Sequence, residues 1–139
     1  MYKRILLATD GSDHSLKAAA QAAEMGLVCG AAVDILSVAV EYSIIRGRSP
    51  FMAEIEVSAK EAVKAARDVV AAHGVVDGQD LVRVAAGNPG NSICEVARET
   101  GADLVVVGSR GEGRAGSILV GSTSQHVAHC SNVPVLLVR

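Results

Sequence analysis

The chain has 139 residues, with thirteen lysines and arginines against fifteen aspartates and glutamates and a net charge near −2; this predicts one domain over residues 1–139, long enough to bury a core. Such a balance carries no broad attraction for nucleic acid or an anionic membrane, and three aromatics, Tyr2, Tyr42 and Phe51, are too few for base-stacking platforms. No apolar run reaches membrane-spanning length, and the one after the basic Met1-Tyr-Lys-Arg4 stops at Asp10, too short for a signal h-region, so a cytoplasmic protein is expected.

In chain order, the first Val/Ile/Leu run covers Arg4 to Thr9. Ser12 or Asp13 then caps a helix with Leu16, Ala19, Ala20, Ala23 and Leu27 on its inner face, ended near Gly30. A second strand is read over Val33 to Val40. The connection 41–51 that follows contains Arg46, Gly47, Arg48 and Pro50, and is long enough for either a lid or a plain surface loop. The second helix runs from about Met52 to His73, with Ile55, Ala59, Ala62, Ala66 and Val69 inward, and Gly74 ends it. The third strand is Asp80 to Ala85. A third helix begins after Asn88-Pro89 with Ile93 and Ala97 inward, the fourth strand is Asp103 to Gly108, and the fourth helix, about Gly121 to Cys130, carries Val120, Thr123, Val127 and Cys130. Pro134 to Val138 is the fifth strand.

Strict alternation of strand and helix, with strands apolar throughout, predicts an α/β fold: one doubly wound, five-stranded parallel sheet with helices on both faces. In such sheets ligands bind beyond the carboxyl ends of the strands, where the strand order reverses. Two segments lie at such ends, Thr9-Asp10-Gly11-Ser12 and the glycine loop after the fourth strand. They meet only if the first and fourth strands are neighbours.

That loop runs from Gly108 through Gly111, Gly113 and Gly116 to Gly121-Ser122. It joins a buried strand to a helix, where unpaired N–H groups and the positive end of the helix dipole attract a phosphate. Arg110 and Arg114 add charge, and no acidic residue follows Glu112. Gly111-Glu-Gly113-Arg-Ala-Gly116 spells GxGxxG, but a dinucleotide fingerprint belongs after the first strand and needs an acidic residue about twenty positions on. Neither condition is met. A Walker A loop is excluded because no Gly-Lys-Ser/Thr occurs.

Cys29, Cys94 and Cys130 are widely spaced and odd in number, so no disulfide framework is expected and each is read as a small core residue. His126, His129 and Cys130 share a helix face, but no second cluster completes a metal site there. Asp10, Ser12 and His14 crowd one turn, whereas a catalytic triad converges from separate elements.

The spacing Gly108-x2-Gly111-x9-Gly121-Ser122, between Asp103-Leu-Val-Val-Val and Val133-Pro-Val-Leu-Leu-Val-Arg139, resembles the ATP-binding branch of the universal stress protein family. Arg4-Ile-Leu-Leu-Ala-Thr-Asp10-Gly-Ser and Gly87-Asn-Pro89 extend the likeness over almost the whole chain. The resemblance implies ATP with Mg²⁺ at the switch point. Asp10 would meet the ribose or the metal with Thr9 beside it, and the backbone around Val38 would pair with adenine. Gly108, Gly111, Gly121 and Ser122 would hold the phosphates, with Ser109, Arg110, Thr123 and Ser124 close by. It further implies a homodimer through the last strand and a nucleotide-responsive stress regulator acting on an unidentified protein partner. The loop has arginines but no lysine and no evident base, so at most slow ATP hydrolysis is expected. The alternatives are an adenylating or pyrophosphatase-type α/β enzyme and a dimeric scaffold that binds no nucleotide.

Overall fold

The computed structural model describes residues 1–41, 51–109 and 121–139. Five strands and four helices alternate: β1 (Arg4–Ala8), α1 (Asp13–Cys29), β2 (Ala32–Val40), α2 (Met52–Ala72), β3 (Asp80–Ala85), α3 (Pro89–Thr100), β4 (Leu104–Gly108), α4 (Ser122–Cys130) and β5 (Val135–Val138). The strands form one parallel sheet in the order β3-β2-β1-β4-β5, so the doubly wound architecture and the strand positions read from the sequence agree with the structure.

The period of two along each strand divides the core between the faces. Ile5, Leu7, Val33, Ile35, Leu104 and Val106 pack with α1 and α2 on one side. On the other, Leu6, Leu36, Val105 and Val107 meet Ile93, Val96 and Ala97 of α3 and Val127 of α4. Both faces are thus covered, which is why the strands contain no polar alternation.

Helix α1 starts where the Ser12 side chain accepts the Ser15 N–H at 3.2 Å and ends on Gly30 in the left-handed conformation. Its inner face corrects the expected one: Ala19 and Ala23 are buried, but Ser15, Ala18, Ala22 and Gly26 join them, while Leu27 is 52% exposed and Leu16 and Ala20 are half-buried. The helix buries its smallest side chains because it lies close on the sheet; a Cβ on Gly26 would come within 3.0 Å of the Val33 side chain. In α2 the inner stripe is Met52, Ala59, Ala62, Val63, Ala66 and Val70, with Ile55 and Val69 only half-buried. Asn88 caps α3 by accepting the Gly90 N–H at 2.8 Å, ahead of Pro89 at the first helical position.

The cysteines overturn one expectation. Cys94 of α3 and Cys130 of α4 are joined by a disulfide, with Cα atoms 6.2 Å apart, within the span that the bond requires. Their separation of 36 residues concealed this, because only the packing of α3 against α4 on one face of the sheet brings the two together. Cys29 remains a free thiol, half-buried against the α1/α2 core.

Candidate functional site

The carboxyl ends of β1 and β4 lie side by side, with Ala8 opposite Val107. From β1 the chain leaves toward β2, and from β4 it leaves toward β5 on the opposite side, so the two connections diverge and a crevice opens between them. A cleft of about 710 Å³ occupies this position, large enough for a mononucleotide-sized ligand. Its walls come from the ends of β1, β2 and β4 and from the N-terminal turns of α2, α3 and α4.

Thr9, Asp10, Val38, Gly108, Gly121, Ser122, Thr123 and Ser124 all line this cleft, so the structure brings together the turn after β1, the end of β2 and the start of α4. Arg110 and Gly111, with the rest of the GxGxxG segment, Arg114 and Val120, lie outside the described residues, as do positions 42–50 of the long connection. Ser109 is buried and does not line the cleft. Its N–H donates to the Val138 carbonyl at 2.7 Å and its carbonyl accepts the Gly121 N–H at 2.7 Å, which fastens the start of α4 to the end of the sheet.

The local chemistry sorts these residues. Asp10 is exposed and its Oδ1 accepts the Ser12 N–H at 2.9 Å, forming the turn into α1. Thr9 is buried; its hydroxyl donates to Ser15 Oγ at 2.9 Å, and Ser15 Oγ in turn donates to the Ser12 carbonyl at 2.8 Å. The turn is therefore held by its own side chains. Ser124 Oγ donates to the Gly108 carbonyl at 2.6 Å, a second tie between α4 and β4. Among the described residues no side chain caps α4, whose preceding residue is Gly121 in an extended conformation, φ −64° and ψ 156°; the first turn of this helix lines the cleft with its positive dipole end.

Strand β2 outruns β1. Leu36, opposite Ala8, gives its carbonyl to the Thr9 N–H at 2.9 Å. Backbone groups alternate sides along a strand, so Val38, two residues on, directs its N–H and C=O to the same side, beyond the end of β1. That edge faces the cleft rather than another strand.

The sequence reading missed the contribution of α2. Glu54 and Ser58, spaced i,i+4, line the cleft beside Ile55 and Ala59. Their only signal was a polar pair flanking the apolar stripe, at the start of a helix entered from a long connection. Pro89 and Ile93 of α3 close another wall. Among the described lining residues the ionisable side chains are the carboxylates of Asp10 and Glu54, with no lysine, histidine or cysteine. His126 faces away from any such role: its Nε2 lies 2.6 Å from Asn91 Oδ1, between α4 and α3.

The profile of the Universal stress protein family matches residues 1–139. The chain belongs to this family. A universal stress protein of Thermus aquaticus is 36% identical over 139 residues, covering all of both chains. Among solved universal stress proteins, one in complex with cAMP is 30% identical, with a TM-score of 0.74, and the match covers 99% of this chain and 97% of that one. Another, from Archaeoglobus fulgidus in complex with dAMP, is 26% identical with a TM-score of 0.75, over 99% of this chain and 98% of that one. The universal stress protein fold of this chain therefore has relatives whose structures were solved in complex with cAMP and dAMP.

Proposed function

We propose that this chain binds ATP with Mg²⁺ in the cleft between β1 and β4 and acts as a nucleotide-responsive stress regulator through a protein partner. The observation that carries the reading is the N-terminus of α4, without a side-chain cap among the described residues, opening into the same cleft as the backbone edge at Val38. One suits a phosphate chain and the other an adenine edge. The cAMP and dAMP complexes of the relatives support the class of ligand.

In this reading the peptide groups around Val38 pair with adenine, and Gly108, Gly121 and Ser122 hold the phosphates with Thr123 and Ser124 alongside. Arg110 and Gly111 would complete the phosphate loop. Asp10, the carboxylate nearest the turn, fits the ribose or Mg²⁺, since Mg²⁺ takes one or two carboxylates and fills its remaining positions with phosphate oxygens and water. Held there by Asp10, Mg²⁺ would offset phosphate charge. Phosphoryl transfer also needs a positioned base and cationic support. The described lining offers carboxylates and hydroxyls but no lysine, so hydrolysis should be slow at most.

The test is thermal stabilisation, because a ligand selective for the folded state raises its melting temperature by mass action. ATP with Mg²⁺ should raise it, and GTP should do so less. Equal shifts with ATP, GTP and pyrophosphate would defeat adenine recognition. Nucleotide recovered from acid extracts of the purified protein would identify the ligand carried from the cell.

The reading includes a homodimer through β5. Among the described residues this strand pairs with β4 alone, and Leu137 is 36% exposed beside a groove formed with Lys17, Ala20 and Gln21 of α1. An edge strand invites pairing, and a two-fold axis through it makes the contact self-complementary. Light scattering should give a dimer mass that Leu136→Pro abolishes; a monomer at high micromolar concentration would exclude it.

A further inference from the structure

Helix α4 supplies the phosphate-facing end of the cleft and is held at both of its ends by a few specific ties. It is nine residues long, and Ser124 and Val127 are its buried side chains. Ser124 holds the cleft end through the Gly108 carbonyl. The other end is held at α3, where His126 meets Asn91 and Cys130 is bonded to Cys94. The fit at that contact is close: a Cβ on Gly90 would come within 2.9 Å of the His126 Cβ. Cys94 adjoins Ile93, which itself lines the cleft, so the covalent link connects two helices that both form its walls.

The same two sulfurs have partners in the other redox state. Cys94 Sγ lies 3.8 Å from the Val127 carbonyl of α4, and Cys130 Sγ lies 3.5 Å from the Gly90 carbonyl of α3. As thiols, each would donate across the helix pair to a carbonyl already in place, a weak hydrogen bond replacing a covalent one. Neither state leaves a sulfur without a partner. Cys94 is 2% exposed, whereas Cys130 is only half-buried, so a solvent-borne reagent reaches Cys130 first.

We propose that Cys94 and Cys130 are a reversible thiol–disulfide couple whose oxidation state sets how firmly α4 presents its N-terminus to the cleft. The oxidant is a low-molecular-weight disulfide. The Cys130 thiolate attacks one of its sulfurs, forming a mixed disulfide and releasing one small thiolate. The Cys94 thiolate then attacks Cys130 Sγ and expels the second. Two protein thiols and one small disulfide become one protein disulfide and two small thiols, and a small thiol in excess reverses both steps. Oxidation pins the far end of α4 to α3, so the N–H groups at its near end are held in place before a ligand arrives, which favours binding. This effect on affinity rests on the nucleotide reading above; the effect on α4 itself does not.

The experiment equilibrates the protein in glutathione buffers of graded redox ratio, then quenches in acid and alkylates under denaturing conditions. Iodoacetamide should modify Cys29, Cys94 and Cys130 in the reduced protein and Cys29 alone in the oxidised one. Hydrogen exchange of the α4 amides should slow at least about tenfold on oxidation, and ATP with Mg²⁺ should bind roughly three- to tenfold more tightly. In Cys130→Ser and in Cys94→Ala neither property should respond to the buffer. Alkylation of all three cysteines at every ratio, or α4 exchange that is equal in the two forms, would overturn the couple. Exchange that still responds in both variants would overturn its assignment to this pair. If α4 is protected by oxidation but the two forms bind ATP equally, the link to the cleft is wrong. Absence of ATP binding in both forms would instead refute the nucleotide reading, and α4 exchange would then decide the tether alone.

Discussion

The two ends of the sheet treat polar groups in opposite ways. At the amino end they close on one another. Asp34, fully buried in β2, receives Arg4 Nη1 at 2.8 Å on both carboxylate oxygens and the Gln79 N–H at 2.8 Å. Asp103 accepts the N–H groups of Lys3 and Arg4 at 2.9 and 3.1 Å. Arg67 reaches across with Nε on Asp80 at 2.8 Å and Nη2 on the Val33 carbonyl at 3.0 Å, its Nη1 alone being buried without a partner among the described residues. At the carboxyl end the side chains of Thr9, Asp10, Ser15 and Ser124 hold turns and helix starts, while the backbone at Val38 and at the start of α4 is left facing a cleft. Donors and acceptors satisfied within the chain serve the fold; those turned outward at a switch point are available to a ligand. Both ends are polar, so residue type alone does not distinguish them.

Substitutions at the two ends should therefore separate affinity from stability. At the carboxyl end, Gly121→Val should weaken ATP binding about 100-fold, near 3 kcal/mol, with little change in melting temperature, because the extended conformation at Gly121 suits valine while a side chain at the start of α4 obstructs the phosphates. Calorimetry with an unchanged dissociation constant would remove the start of α4 from the site. At the amino end, Asp34→Ala should lower stability by about 2–3 kcal/mol, less than for a fully enclosed pair because Arg4 is 34% exposed and can rehydrate. In a chain of this size that is a fall of roughly 8–12 °C in melting temperature. ATP affinity should stay unaltered, and a matching loss of binding would break the division between the two ends.

Ser122→Ala comes next, removing one charge-assisted hydrogen bond and weakening ATP binding by roughly tenfold or somewhat more. GTP and ATP should be affected alike, since the change lies at the phosphate end; a selective effect on ATP would move the adenine subsite toward α4. The smallest effect concerns pH. Burial pushes the Asp103 carboxyl up, but the N–H groups of Lys3 and Arg4, its own N–H and the chain-terminal charge outweigh this and hold it below its ordinary value. A carboxyl depressed in the folded state contributes stability that is present above its unfolded pKa, about 3.9, and is lost as pH falls through the folded value. Asp103→Asn should flatten the acid limb of the stability curve below about pH 4 and leave stability near neutrality almost unchanged. An unaltered acid limb in urea titrations would assign that slope to other carboxylates.

Much of this architecture was legible in the residues because it depends on local order. Apolar strands alternating with helical stripes require a sheet covered on both faces, and Ser12, Asn88 and Gly30 punctuate the helices with side chains or conformations that act within a turn. The glycines and hydroxyls around Gly108 and Gly121-Ser122 marked one half of the cleft for the same reason. Other features depended on neighbours far away in sequence. Whether Thr9-Asp10 and Gly121-Ser122 meet is settled by β1 lying beside β4. The buried face of α1 is settled by how close a helix of small residues can approach the sheet, which favoured Ala18, Ala22 and Gly26 over Leu16 and Leu27. Glu54 and Ser58 reach the cleft because β2 extends past β1 and delivers α2 over the opening. The bond between Cys94 and Cys130 needs two helices that never adjoin in the chain to pack on one face. A sequence pattern records which face of an element is apolar; the closeness and order in which the elements assemble arise from packing, and there the remaining features of the site were decided.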